Sequence, residues 1–461
     1  MLYFLALGLG AFLGFLMLRW KRHQFYRLAE NSVALLNTLI SEEGDEQKLA
    51  SMEKQTSAAL ISLLSFIGLL LLALIIIVAP ASFYSYFEKG GWSFISIGGW
   101  KELLSISIGA SLVFIPIAKK EQSSYSELSQ LLHRLVLNNY NVGLKLFKRE
   151  AKQKKDLPLK EEFIIISGLA RAGTTSLMNQ LLNIEGFRSL SYANMPFLLS
   201  PNTWRKIYKP KDKSTSERSH KDGIKIGLNS NEALEEYFFK ALAADEYIKE
   251  DHLKEYELSP EEYQDYLKYQ TLVRKKESDV YLAKNNNFLL RYKSIRKQNP
   301  HFVFVILFRH PLFHAASLLE KHLLYSEMQT NDGFVEEYMD WLGHHEFGLN
   351  QKAFRFGQQT IVEGDKSQLD YWLKVWINYY QYALECHDEK SLFIQYESFC
   401  SQAQENLALI LEKGNHSLEA PKIEGFNNPR KKQEELGFDS HLMNEALTLY
   451  QNLKLKTALT K

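Results

Sequence analysis

From Ala58 to Pro80 the chain reads AALISLLSFIGLLLLALIIIVAP, without one charged residue. A run this long and apolar is suited to crossing a bilayer as a single helix. Two shorter apolar runs accompany it in the first 120 residues. Tyr3 to Leu18 closes on Arg19-Trp20-Lys21-Arg22-His23, an aromatic and basic end that can snorkel to a membrane surface. A signal peptide would carry its positive charge ahead of the apolar core and end in an A-x-A site, so an anchor is the better reading. Leu103 to Ile117 is diluted by Ser and Gly and reads as a span or as a re-entrant or interfacial segment.

Lysines and arginines set the expected orientation. Arg19, Lys21 and Arg22 flank the first run; Lys119 and Lys120, then Lys145, Lys148, Arg149, Lys152, Lys154 and Lys155, follow the third. Three spans with the N-terminus outside put both basic flanks in the cytoplasm. That predicts an inner (plasma) membrane protein whose C-terminal part is cytoplasmic; with two spans that part lies on the other side. Segments 24–57 and 121–150 are expected as cytoplasmic helices whose Leu spacing permits pairing. The expected organisation is a membrane region over 1–155, with two or three transmembrane helices, and a second domain over 156–461.

A net charge of +1 argues against a dedicated nucleic-acid binder. With only Cys386 and Cys400, the chain has neither a disulfide framework nor a cysteine zinc site, and it fits a reducing compartment.

After Asp156-Leu157-Pro158 the pattern turns to strand, loop and helix. Phe163 to Ser167 and His301 to Phe308 are short, β-branched or aromatic runs of the kind buried in parallel sheets. Ser391 to Tyr396 is a third. Helical pattern fills 231–250, 259–275, 312–324, 331–342 and 368–385, which predicts an α/β domain around a parallel sheet.

The first strand leads into GLARAGTTS, Gly168 to Ser176. Gly168 and Gly173 permit close backbone approach, and the amides of Gly173 to Ser176 open a helix as an anion cradle. Thr174, Thr175 and Ser176 add hydroxyls. A P-loop nucleotidase would carry Lys where Thr174 stands, and an Asp at a neighbouring strand end to help hold magnesium. Here the candidate neighbouring strand ends in Arg309. Alone, the loop reads as a degenerate nucleotidase loop, as a cradle for another phosphorylated donor, or as a plain strand-to-helix turn. The second loop, FRHPLFHAAS, puts Arg309 at a strand's C-terminal end and Ser317 eight residues on, in the following helix. Ligands of open α/β sheets bind at such ends, so the pair implies a donor with phosphates at two places.

Together GLARAGTTSL and RHPLFHAAS resemble the two signatures of sulfotransferases that use 3′-phosphoadenosine 5′-phosphosulfate (PAPS). SYANMPFLLSPNTW, ERSHKDGI, YLAKNNNFLLRY, YMDWLGHHEFG and QYESFC extend the resemblance to a bacterial branch of that family, over most of 160 to 400. It implies a P-loop-type sandwich of helices around a central parallel sheet, preceded by the transmembrane region, which the resemblance does not cover. It also implies that Arg171 and the Gly168–Ser176 loop bind the 5′-phosphosulfate, and that Arg309 and Ser317 bind the 3′-phosphate. Soluble members usually carry Lys where this chain has Arg171; Arg is typical of many membrane-attached ones.

The implied activity is sulfuryl transfer from PAPS, without a metal, to a hydroxyl of a lipid, glycolipid or carbohydrate; the alternatives are a membrane scaffold whose sulfotransferase-like domain binds nucleotide without turnover, and a degenerate P-loop kinase. The bilayer is then a partner, nucleic acid is not, and the oligomeric state is open. Arg171 would stabilise the departing phosphate. The general base is expected in ERSHKDG, where Glu217, His220 and Asp222 all remain candidates. Lys284 either steadies the transferred group or fixes its own loop. In His344-His345-Glu346 adjacent side chains splay apart and no third ligand is evident, so packing or an acceptor-side role is expected over a metal. His314 and His322 are expected to serve helix packing or acceptor contacts.

Overall fold

The computed structural model describes residues 1–41, 45–90, 99–114, 127–154, 157–208, 216–217, 225–226, 233–416 and 437–457. The chain divides into two compact units, Met1–Val142 and Gly143–Lys461.

The first unit is helical. It comprises α1 (Leu2–Trp20), α2 (His23–Leu39), α3 (Asp45–Lys89), α4 (Trp100–Leu112), α5 (Glu127–Leu137) and the start of α6 (Tyr140–Gln153). The charge-free run forms the middle of α3, which continues through Pro80. At 1.5 Å per residue, Ala58 to Pro80 measures about 35 Å, enough for a hydrocarbon core of about 30 Å. Leu64, Leu71 and Ile75 stand exposed on it. By length and composition, α1 and α3 are apolar enough to cross a membrane. Within the described residues the third apolar run forms α4, about 20 Å long; its end at 115–117, with Lys119 and Lys120, lies outside them. α1 packs between α3 and α4 through small residues: a Cβ on Gly10 would lie 2.2 Å from the Ile77 carbonyl oxygen. Ser105 donates to the Phe4 carbonyl and Arg19 to that of Val113. α2 meets α5, where Arg22 pairs with Glu127, so part of the expected pairing of the polar segments forms.

The units divide before the expected 155/156 boundary because most of α6 packs with the second. Phe147 sets its ring edge-on to Phe238, 5.7 Å away, and Glu150 accepts from the Asn202 and Thr203 amides at 3.0 and 2.8 Å.

The second unit is the expected α/β class. Its elements run β1 (Phe163–Ser167), α7 (Thr174–Leu182), β2 (Phe187–Arg188), α8 (Pro201–Ile207), β3 (Ser216–Glu217), β4 (Lys225–Ile226), α9 (Glu236–Tyr247), β5 (His252–Lys254), α10 (Pro260–Val273) and β6 (Val280–Lys284). There follow α11 (Tyr292–Gln298), β7 (Val303–Phe308), α12 (Pro311–Asn331), α13 (Gly333–Trp341), β8 (Ala353–Arg355), α14 (Leu369–Glu385), β9 (Ser391–Gln395), α15 (Tyr396–Ser401), α16 (Ala403–Lys413) and α17 (Ser440–Leu455).

Five strands form one parallel sheet in the order β2-β6-β1-β7-β9. Alternation along β1 splits its apolar side chains between two layers. Ile164 and Ile166 join Leu177 and Leu181 of α7 and Leu407 and Ile410 of α16. Phe163 faces an aromatic layer, stacked on Phe302 at 5.0 Å and edge-on to Tyr266 of α10 at 5.7 Å. Both faces of the sheet are therefore covered, as parallel sheets require. With β1 between β6 and β7, the loops after these three strands emerge side by side.

Candidate active site

The turn from β1 to α7 is shaped by two close approaches. Gly168 has φ +136°, and a Cβ there would sit 2.4 Å from the Leu307 carbonyl oxygen. Gly173 has φ +99°, and a Cβ would sit 2.3 Å from the Tyr396 ring. Both conditions demand glycine. Arg171 between them has φ +72°, a left-handed conformation that a non-glycine residue adopts at a cost of about 1–3 kcal/mol. Strain of this kind gathers at ligand-binding loops.

Five expected residues meet here. The Arg171 guanidinium donates from Nε to Ser317 Oγ at 3.3 Å. Lys284, the buried last residue of β6, donates from Nζ to Thr175 Oγ1 at 2.9 Å. Arg309 follows β7, its guanidinium 5.2 Å from the Tyr396 ring centroid. Its Nε is buried without a hydrogen-bond partner. Burial lowers the Arg309 pKa, Tyr396 and Glu397 oppose that, and the Arg171 charge adds to it. An orphaned buried donor beside a second cation, at the open end of a parallel sheet, suits an anionic ligand. Thr174 is buried while Thr175 and Ser176 are half-buried at the N-terminus of α7. As expected, Pro311 opens α12 at its first turn.

Residues that the sequence did not single out hold these loops. Ser167 Oγ donates to the Asn285 carbonyl at 2.8 Å, Tyr379 OH to that of Asn286 at 3.1 Å, and Tyr380 OH to that of Leu307 at 2.7 Å. His314 has a packing role within the site: its fully buried ring places Nε2 2.8 Å from the Ala170 carbonyl. Burial, with the Arg309 and Arg171 charges, pushes its pKa down to about 3, so the ring is neutral and Nε2–H donates.

Below the loops lie two carboxylates that the sequence reading passed over. Glu235 accepts from Tyr266 and Tyr281 hydroxyls at 2.6 and 2.8 Å and from Asn285 Nδ2 at 3.0 Å; burial raises its pKa. Glu236 pairs with Arg291 through contacts of 2.6 and 3.0 Å and accepts from Tyr247 at 2.6 Å. The available signal was EEYFF, adjacent charges opening an otherwise apolar helix, where a buried charge needs a partner.

Of the base candidates, Glu217 lies in β3, paired through its backbone with Lys225 of β4. The Glu217 side chain, His220 and Asp222 lie outside the described residues. Among the described residues, no group of three His, Cys, Asp or Glu side chains is placed to hold a metal ion.

No family model matches the chain, and no curated protein matches it. Among solved structures, a sulfotransferase from Mycobacterium tuberculosis overlaps 82% of this chain and 97% of its own, at 12% identity and a TM-score of 0.38. A sulfotransferase from Mycobacterium avium overlaps 80% and 86%, at 11% identity and a TM-score of 0.37. One from Alicyclobacillus acidocaldarius overlaps 64% and 93%, at 12% identity and a TM-score of 0.32. With overlaps this loose, fold and chemistry rest on the chain's own strands and side chains.

Proposed function

We propose that this chain is a membrane-anchored sulfotransferase that moves a sulfuryl group from PAPS to a hydroxyl of a lipid, glycolipid or carbohydrate. The observation that carries this reading is the convergence of two anion-competent loops, bonded through Arg171 and Ser317, with Arg309 where a magnesium-dependent nucleotidase would need a carboxylate.

PAPS fits that donor set as a substrate. The loop amides and the hydroxyls of Thr174, Thr175 and Ser176 would hold its 5′-phosphosulfate, and Arg309 with Ser317 its 3′-phosphate. In-line transfer loads charge on the equatorial oxygens and the leaving phosphate. Arg171 would stabilise the departing phosphate, and Lys284, held beside Thr175, the oxygens in flight. The length and exposed apolar faces of α1 and α3 favour insertion in the bilayer. Anchoring raises local concentration only for membrane substrates, so a lipid or lipid-linked sugar suits this enzyme best. The soluble unit then works at the cytoplasmic face of the inner membrane.

The test is to incubate the purified protein with sulfur-labelled PAPS and a total lipid extract of the cells that produce it. Label should enter the lipid phase without added magnesium. Strict dependence on ATP and magnesium would sink the proposal, and label found only in soluble polysaccharide or protein would sink its lipid part.

A further inference from the structure

One motif is left unused by this reading. After α13 the chain turns at Gly343, whose φ is +70° and whose carbonyl accepts from Asn287 Nδ2 at 3.0 Å. The turn sends the next three side chains to different places. His345 is fully buried, with Nδ1 3.0 Å from the Asn350 carbonyl. Burial pushes its pKa down to about 4, so it is a neutral packing residue. His344 remains half-buried, and its Nδ1 lies 3.3 Å from Glu346 Oε1.

Glu346 is 8% exposed and is tied to the strand ends of the site. It accepts from Asn286 Nδ2 at 3.0 Å, and Asn286 stands two residues past Lys284. The Asn286 carbonyl accepts from Tyr379, whose hydroxyl also meets Ser167 Oγ at 3.0 Å, at the root of the phosphate loop. The Glu346 carboxylate lines one cavity together with Leu169 and Ala170 of that loop, Asn286 and Lys352. Burial opposes its charge, but His344, its own backbone and Asn286 hold its pKa down to about 2. Lys352 shares the cavity and acts, with Asp340 and Lys240, on His345.

An ionised carboxylate beside one ring nitrogen fixes a proton there and leaves the other nitrogen a lone pair. We propose that His344, held in that tautomer by Glu346, is the base that takes the proton of the acceptor hydroxyl. The inference rests on the sulfuryl-transfer reading above. In the step, His344 Nε2 accepts the hydroxyl proton as the hydroxyl oxygen bonds to sulfur. The bond from sulfur to the bridging oxygen breaks, and its electron pair leaves with adenosine 3′,5′-bisphosphate. Glu346 offsets the imidazolium charge, as an orienting carboxylate does in other base–carboxylate pairs.

The experiment uses the full chain in detergent, labelled PAPS, and the total lipid extract as acceptor. His344→Ala should bind adenosine 3′,5′-bisphosphate as the wild type does, lose roughly 10²–10⁴-fold in transfer, and regain part of it with free imidazole. Glu346→Gln should lower transfer by roughly 10²–10⁴-fold with bisphosphate affinity unchanged, because a neutral amide no longer offsets the charge that His344 gains. Transfer retained by His344→Ala, or lost without imidazole rescue, overturns the proposal. An acid limb of the pH–rate profile that persists in His344→Ala and vanishes in His220→Gln gives the role to His220 instead. A wild type that neither binds the bisphosphate nor transfers label overturns the sulfuryl-transfer reading itself, which is a separate result.

Discussion

Arg171, in the loop between β1 and α7, donates to Ser317 of α12 and so ties that loop to the helix that follows β7. The same Arg171 adopts a left-handed backbone conformation, so its position is fixed both by strain and by a partner.

If the chain transfers sulfuryl groups as proposed, Arg171→Ala should abolish transfer, because it removes the forked cation that would face the leaving phosphate. Ser317→Ala should weaken adenosine 3′,5′-bisphosphate binding roughly tenfold, the value of one hydrogen bond to a charged group. It should weaken the analogue lacking the 3′-phosphate much less. Calorimetric titration of both nucleotides checks the pair; equal losses for the two would remove Ser317 from the 3′ site.

Lys284 is buried beside Thr175 at the end of β6. Lys284→Gln keeps a hydrogen-bonding end but loses the charge. We expect turnover to fall on the order of 10²–10³-fold with bisphosphate affinity little changed, as for removal of one transition-state donor. Steady-state rates at saturating PAPS give the answer, and a change confined to KM would contradict it.

Gly173→Ala should cost about 1–3 kcal/mol in stability from the backbone alone, and the added carbon meets the Tyr396 ring at 2.3 Å. Nucleotide binding should go with it, since the amides that follow are displaced. Chemical denaturation and bisphosphate titration report the two effects; a stable, binding-competent variant would contradict this view of the turn.

The Glu236–Arg291 pair is almost fully buried, at 2% and 0% side-chain exposure. Arg291→Met should destabilise the unit by about 3–5 kcal/mol by stranding the carboxylate, while Glu236→Leu with Arg291→Met should recover most of that loss. Urea midpoints of the two variants decide it, and a double variant no more stable than the single would refute it.

His314 and Glu346 predict acid lability. His314 has its folded pKa pushed down from 6.5 to about 3, so below pH 6.5 the unfolded chain takes up a proton that the folded one does not. That stability is present above 6.5 and is lost as pH falls toward 3. Glu346, lowered from 4.5 to about 2, adds a second loss below 4.5. Unfolding free energy measured against pH should decline from about 6.5 downward, and His314→Gln should flatten the first part of the decline. An unchanged slope would remove His314 from the account.

Much of the fold was legible because its signals are local. The strands β1, β7 and β9 announce themselves as apolar runs, and α9, α10, α13 and α14 fall inside the expected helical segments. β6 was read only as a stretch of resemblance, because VYLAK mixes a charge into a short run. Its burial on both sides, between β2 and β1, is a tertiary fact. Of the third apolar run, the described residues place Leu103 to Leu112 in α4. Glu235, Glu236 and Tyr379 escaped notice because a buried polar group is recognised by its partners, and these lie far away in sequence.

By itself the sequence determined the apolar helices, the glycine positions of the β1–α7 loop and the cations Arg171 and Arg309, since each depends on neighbours along the chain. Only the tertiary structure decided the strand order that sets Lys284 on one side of the loop and Arg309 on the other. It alone brought Arg171 to Ser317 and tied Glu346 to Asn286. The physical reason is that strand pairing and side-chain hydrogen bonds satisfy backbone and polar groups across long separations, and no local pattern records which partner is taken.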